Sequence, residues 1–335
     1  MMYSTSAIRI SCEAYTVGWI CVLEDEHDAA RALLDEEYAT PSTQDDQNTY
    51  LVGRMGRHNV VIVRVIDTGS TPAAELVTNM TRTFRNLRFG LMVGTGGGAT
   101  DAPRPGGLTT DILLGDVVVS RPNGSHGGVI EYDRGRQMPG DFEIISRLNS
   151  PGTLLASAAA QVAQNHRFKK GNMARYIREA QSRFHALDIN YFNFPGREHD
   201  LLFAPGYDHF DELGTDCSCC DRSQLVTRTS TRKGPAIHNG LIASADVLMQ
   251  DPHTRDTMRQ THGALCFEME SAGMMNSLPC LIIRGIANYA DSHKNDLWQP
   301  YAALTAAAYA KDLLALIQPQ EVRGMRVAVS VLLYD

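Results

Sequence analysis

The stretch Phe267-Glu268-Met269-Glu270-Ser271-Ala272-Gly273 reads as a strand-to-helix switch. An apolar segment, Gly263 to Phe267, enters it, and a helix-like segment, Ala272 to Leu278, leaves it. In open α/β sheets, ligands bind beyond the carboxyl ends of strands. Here a methionine stands between two carboxylates at such an end. A carboxylate can accept hydrogen bonds from two adjacent hydroxyls at once, and a thioether packs against an apolar ring face. The combination suits a sugar. Glu268 and Glu270 also read as solvated acids at a helix start, where the helix dipole favours them, so the stretch taken alone leaves both readings open.

Working outward, the same alternation recurs along the chain. Tyr15 to Leu23 is a continuous apolar run, as in a buried strand, and Glu24 to Leu34 has helical spacing with Ala29, Ala30, Leu33 and Leu34 on one face. Tyr50 to Gly53 and His58 to Ile66 read as two strands of a meander. Gly69-Ser70-Thr71-Pro72 breaks the chain and opens a helix over Ala73 to Phe84. Phe89 to Val93 reads as a buried strand ended by Gly94-Thr95-Gly96-Gly97-Gly98, and Leu114 to Ser120 as a turn and strand. Helices are expected over Thr153 to Asn165 and Asn172 to Leu187. Gly240 to Ala245 and Pro279 to Ile286 are expected strands, and Trp298 to Ile317 a long Ala-rich helix. Strands alternating with helices predict a mostly parallel sheet covered on both faces. Residues 1–14 read as a loose leader, 15–320 as a single domain with an insertion at about 139–235, and 321–335 as a C-terminal extension.

Composition narrows the function classes. With 335 residues, 43% hydrophobic and 21% charged, the chain is of ordinary globular make-up. A net charge of -7 disfavours a nucleic-acid partner. No apolar run is long enough to span a bilayer, so no membrane partner is expected. Met1 to Glu13 lacks a basic region followed by an apolar core, so no secretory signal is expected. Seven cysteines at irregular spacing read as reduced thiols, which predicts a cytoplasmic protein.

Several residues could carry chemistry. The glycines of Met92 to Gly98 put bare backbone at a strand end, where a flat ring or a sugar can approach closely; a turn needing positive φ is the other reading. No Gly-Lys-Ser/Thr follows, so a phosphate loop is disfavoured. Glu26 sits just past the first strand, where a partly desolvated carboxylate can serve as general acid or base or be a simple helix-start acid. Arg284 to Asp291 ends the last buried strand with polar side chains, and Asn288 offers one acceptor and two donors, as the edge of a base requires, or acts as a cap or turn residue. Cys217, Cys219 and Cys220 have C-x-C-C spacing with His209 and His238 on either side; without a second pair the spacing is a poor match to a zinc site, and no metal is assigned. No cofactor is called for.

Together these stretches resemble the purine nucleoside phosphorylase and methylthioadenosine nucleosidase superfamily, over about Tyr15 to Ile317 less the insertion. They are most similar to the fungal branch that often heads larger multidomain proteins. The resemblance implies a three-layer α/β sandwich with a central mixed β-sheet, a small-molecule purine nucleoside as ligand, and a homo-oligomer. Val22-Leu23-Glu24-Asp25-Glu26 resembles the family's strand-end acidic motif and places the catalytic acid/base at Glu26. The glycine-rich loop falls on Gly94-Thr95-Gly96-Gly97, implying that Thr95, Gly96 and Gly97 bind substrate. Leu113 to Ser120 matches the Gly-Asp strand, and Gly240 to Asp246 the base-pocket segment, which puts Val247, Leu248 and Met249 near the base. Glu268-Met269-Glu270 matches the ribose motif, Glu270 on the sugar hydroxyls and Met269 against the ring. Two departures stand out. Met92 occupies the place of the phosphorylases' phosphate-gripping Arg, and their Gly-Asp-x-x-Arg motif is missing, so water is the expected nucleophile. Asn288 stands where the nucleosidases have Asp, which tilts the expected substrate toward 6-oxopurine nucleosides, inosine or guanosine. A phosphorylase, a nucleotide N-glycosidase of the ATP type, and a non-catalytic nucleoside-sensing module remain the alternatives.

Overall fold

The computed structural model describes residues 8–41, 46–101, 111–186, 191–209, 216–228 and 232–328. Residues 1–7 of the leader, parts of the 139–235 stretch and residues 329–335 of the extension lie outside the described residues.

Strands β1 (Val17–Cys21), β2 (Glu36–Glu37), β3 (Tyr50–Met55), β4 (His58–Arg64), β5 (Phe89–Gly98), β6 (Val117–Ser120) and β7 (Val129–Glu131) lie in the first half of the chain. A separate hairpin, β8 (Gly135–Met138) and β9 (Asp141–Ile144), follows. Strands β10 (Ile237–Ser244), β11 (Ala264–Glu268) and β12 (Cys280–Asn288) complete the set. The helices are α1 (Glu24–Ala32), α2 (Ser70–Thr83), α3 (Thr153–Arg167), α4 (Met173–His185), α5 (Pro252–His262), α6 (Ser271–Met274), α7 (Gln299–Leu316) and α8 (Pro319–Gly324).

Ten strands form one mixed sheet in the order β11-β10-β6-β12-β5-β1-β4-β3-β2, with β7 on β10. Strands β4, β1, β5 and β12 pair in parallel, β10 pairs in parallel with β6, β7 and β11, and β6 runs antiparallel to β12. The apolar runs of β1 and β12 are buried throughout, as strands covered on both faces must be. The expected sandwich is present. Helices α1, α3, α4 and α7 pack together on one side of the sheet, and α2 packs with α6 elsewhere. Nearly every residue of α7 is buried. Its small residues let it lie on β12, where a side chain at Gly285 would collide with the Ala302 carbonyl at 1.9 Å.

Within the stretch read as an insertion, α3 and α4 contribute Leu155, Val162, Tyr176 and Ile177 to the main core. Asp312 of α7 binds both of them, accepting from His166 at 2.7 Å and from the Asn172 N–H at 2.8 Å. Val322 of α8 is buried in the same core.

One strand departs from expectation. The glycines after Val93 do not end β5, which continues through Gly98. Bare Cα atoms let β5 pair with β12 as far as Asn288 opposite Gly97, and then antiparallel with β11, Cys266 opposite Gly98 and Phe267 opposite Gly97. At Gly96 a Cβ would lie 2.5 Å from Cys266 Sγ and 2.9 Å from the Phe267 carbonyl. Glycine in a strand marks such close backbone approach. This second pairing folds the ends of β5, β11 and β12 together.

Candidate active site

Those strand ends and the start of α1 enclose a cavity of about 140 Å³. Glu26, Thr95, Gly96, Gly97, Val247, Leu248, Met249, Glu268, Met269, Glu270 and Asn288 all line it, although they are scattered over most of the chain. Arg284, Lys294, Thr68 and Gln299 line it as well.

Glu26 occupies the third position of α1 and turns back toward the strand. Its Oε2 accepts from the Val22 and Leu23 N–H groups at 2.8 and 3.1 Å. Its Oε1 accepts from the Thr95 N–H at 2.7 Å and the Thr95 hydroxyl at 3.1 Å. The carboxylate is therefore buried yet fixed on both oxygens. Its acidic neighbours diverge: Glu24 is exposed, and Asp25 accepts from Gln299 at 3.1 Å and from the Tyr191 hydroxyl.

Arg284 has no role assigned to it by any local sequence signal. A lone guanidinium within the buried run of β12 requires charged partners. It has them: Nη2 donates to Glu268 and, at 3.2 Å, to Glu270 Oε2, and Nη1 lies 3.4 Å from the Thr95 carbonyl. Burial works to lower the Arg284 pKa, but Glu268, Glu270 and Glu26 outweigh it and the net direction is upward. Gly94 makes room for this cluster; a Cβ there would stand 2.6 Å from both Arg284 Nη1 and Glu26 Oε1.

The two glutamates of the 268–270 motif differ in what they have left to offer. Glu268 is occupied, accepting from the Ser271 N–H at 3.0 Å, from the Ser271 hydroxyl and from Arg284. Glu270 lines the cavity with fewer donors, the 3.2 Å bond from Arg284 and the Met269 N–H beside it. Burial foremost, then the charges of Glu268 and Glu26, push its carboxyl up to about 7 against the opposing pull of Arg284.

Asn288 ends β12 in a tight turn. Its Oδ1 accepts from the Ala290 N–H at 2.9 Å, and Ala290 takes a positive φ of 51°. This bond sets the amide orientation and leaves the NH₂ without a partner among the described residues. An apolar wall of Phe267, Ala290, Met249 and Tyr132 stands nearby. Val247 and Leu248 form the rim and are 61% and 47% exposed. Met92, at the place of the phosphorylases' Arg, is fully buried under Arg284 Nη2, 3.2 Å from its sulfur.

The Gly115-Asp116 motif plays a different part. Asp116 is buried and accepts from Arg232 on both oxygens at 2.8 Å, from His238 at 2.8 Å and from two backbone N–H groups. Burial works to raise its pKa, but Arg232 and His238 bring it down to about 2. His238 is thereby withdrawn from the cysteines. His209, Cys217 and Cys220 do come together, their ligand atoms within 4.8 Å of one another, and all seven cysteines are free thiols.

Residues 184–318 match the model of the phosphorylase superfamily. That match takes in about two fifths of the chain. It is 40% identical over 328 residues, 96% of its length, to a nucleotide-binding leucine-rich repeat (NLR)-like protein of Hyaloscypha variabilis, and spans about a third of that relative. It is 33% identical over 87 residues, 24% of the chain, to the ATP nucleosidase Cap17 of Escherichia coli, of which the match covers 17%. Among solved structures it is similar to the 5′-methylthioadenosine/S-adenosylhomocysteine nucleosidase of Neisseria meningitidis in complex with methylthio-immucillin-A. That likeness has a TM-score of 0.56 at 16% identity, over 90% of this chain and 99% of that one. No described helix is long and apolar enough to cross a membrane.

Proposed function

We propose that the chain is a purine N-glycosidase that uses water as nucleophile. The observation that carries this reading is the convergence of Glu26, Glu270 and Arg284 on one cavity, with Glu26 fixed on both oxygens and Glu270 held by fewer donors. Glu26 takes a proton from a water as that water attacks the anomeric carbon. Glu270 accepts hydrogen bonds from the sugar hydroxyls and favours the positive charge that develops on the sugar. Arg284, held by Glu268, orients Glu270. Met269 packs against the sugar ring, Thr95, Gly96 and Gly97 bring backbone close to it, and Val247, Leu248 and Met249 flank the base.

Water is favoured over phosphate on electrostatic grounds. Three carboxylates line the cavity, and its one buried guanidinium is already engaged by two of them. A phosphate dianion needs unshared guanidinium partners.

Asn288 assists the departing base. With its carbonyl held by Ala290, it presents NH₂ donors, which match N7 and O6 of hypoxanthine or guanine. A 6-amino group would meet donor with donor, and an unmatched buried polar group is costly. Inosine and guanosine are therefore the favoured substrates. A second reading, a nucleotide substrate, is supported by Lys294 on the cavity wall and by the similarity to a protein named as an ATP nucleosidase. The test is a panel of inosine, guanosine, adenosine and ATP, each with and without phosphate, with base release and the sugar product measured. Fastest release from inosine or guanosine upholds the 6-oxo assignment, and ATP cleaved fastest replaces it with the nucleotide reading. Ligand binding without base release from any of the four rejects catalysis.

A further inference from the structure

A second cluster of chemistry-bearing side chains lies in the 200–226 stretch, outside the machinery proposed above. His209, Cys217 and Cys220 each offer a ligand atom, and the three atoms lie within 4.8 Å of one another. Both cysteines are 7% exposed. They stand three residues apart, in a turn closed by the Cys220 N–H donating to the Cys217 carbonyl at 3.3 Å. That is the C-x-x-C spacing of a metal-binding knuckle, concealed in the sequence by the intervening Cys219. A tetrahedral zinc ion with bonds of about 2.3 Å to sulfur and 2.0 Å to nitrogen separates these ligand atoms by about 3.5 to 3.8 Å. The side chains need to close by only about 1 Å to reach that geometry.

Two further observations point to a ligand. His209 Nε2 lies 2.9 Å from the Asp216 carbonyl, the kind of outer partner that orients a ligating imidazole. His293, its ring 5.4 Å from that of His209, is 6% exposed, and among the described residues neither of its nitrogens has a hydrogen-bond partner, the Asp291 carboxylate standing 3.8 Å from Nδ1. A buried imidazole left without partners is unfavourable, and coordination relieves it.

We propose that His209, Cys217 and Cys220 bind one zinc ion, with His293 as the fourth donor. Binding displaces the two thiol protons to solvent. The ion acts as a clip. Among the described residues the stretch it holds has a small satellite core, Phe203, Cys217 and Cys220 with Leu201, Tyr207 and Leu225 packed against them, apart from the main one, and so small a core is commonly stapled by a metal. The clip fastens this stretch to the 291–294 loop, which the His209 N–H also reaches at Ser292 (3.0 Å) and the Cys217 thiol at the His293 carbonyl (3.8 Å). That loop carries Lys294 into the nucleoside cavity.

The test uses the whole chain, purified under reducing conditions. Metal content is measured first, then the absorption spectrum after exchange of Zn²⁺ for Co²⁺. About one zinc per chain, and the sulfur-to-cobalt charge-transfer and intense d–d bands of a tetrahedral thiolate site, are expected. The Cys217→Ser and Cys220→Ser variants should lose these bands, Cys219→Ser should keep them, and His293→Ala should weaken zinc binding about tenfold or more. A reduced wild-type chain that takes up neither Zn²⁺ nor Co²⁺ overturns the proposal without recourse to variants. So does a Cys219→Ser variant that loses the bands. Retention of unchanged zinc affinity in His293→Ala overturns the fourth ligand.

Discussion

One oxygen of Glu26 is held by both donors of Thr95, the N–H at 2.7 Å and the hydroxyl at 3.1 Å. The two residues come from the start of α1 and the middle of β5, and their bond joins the first strand-end of the sheet to the glycine run. The proposed base is thus positioned by backbone that the sheet itself fixes, which places its function on firm geometric ground for substitution.

Glu26→Gln keeps the size and most of the acceptor geometry but cannot take a proton. Turnover should fall about 10²- to 10⁴-fold with the thermal midpoint little changed. Unaltered base release in Glu26→Gln would remove Glu26 from the chemistry, and neither Glu24 nor Asp25 is oriented to replace it.

Gly94→Ala tests the room that the charged cluster needs. A methyl 2.6 Å from Arg284 Nη1 and Glu26 Oε1 must displace one of them, and misplacement of about 1 Å costs roughly 10²-fold in rate. Steady-state kinetics on a folded variant should show that loss mainly in kcat. Wild-type kinetics would mean that the cluster's position does not matter.

Glu270 titrates in the working range. With its carboxyl pushed up to about 7, and the ionised form needed beside a cationic sugar, kcat/KM should rise with pH through about 7 and level off above it. Glu270→Gln should lower the rate and abolish that limb. A limb that persists unchanged in Glu270→Gln belongs to another group.

Much of this site was legible in the sequence, for identifiable reasons. Runs such as Ile282-Ile283 and Trp19-Ile20 announced buried strands, and the acidic and glycine-rich strand ends were local signals. The continuation of β5 through Gly98 was not legible, because glycine has no strand preference and is tolerated there only through pairings with β11 and β12, far away in sequence. Helix α5 has legible end signals: Asp251 caps its first N–H groups, Pro252 opens it, and Gly263 closes it at φ 77°. Arg284 lay in the open as a charge within an apolar run, but its partners Glu268 and Glu270 belong to another strand end. The pairing of Cys217 with Cys220 rather than with Cys219 is likewise a matter of three-dimensional placement.

Asp116 links pH to stability. Its folded value of about 2 lies below the ordinary 3.8. The stabilisation is complete above about pH 4 and is lost as the pH falls through 2, about 2 kcal/mol in all. Denaturant unfolding across that window should show the loss, and Asp116→Asn should be less stable at neutral pH and flatter on the acid side. Equal acid sensitivity in Asp116→Asn would assign the effect to other carboxylates.

Hydrolysis itself is tested most directly by running the reaction in ¹⁸O-labelled water with a saturating purine nucleoside and phosphate present, and reading the sugar by mass spectrometry. Free sugar carrying one ¹⁸O at its anomeric hydroxyl is the predicted product. Unlabelled sugar 1-phosphate would contradict it and make phosphate the nucleophile.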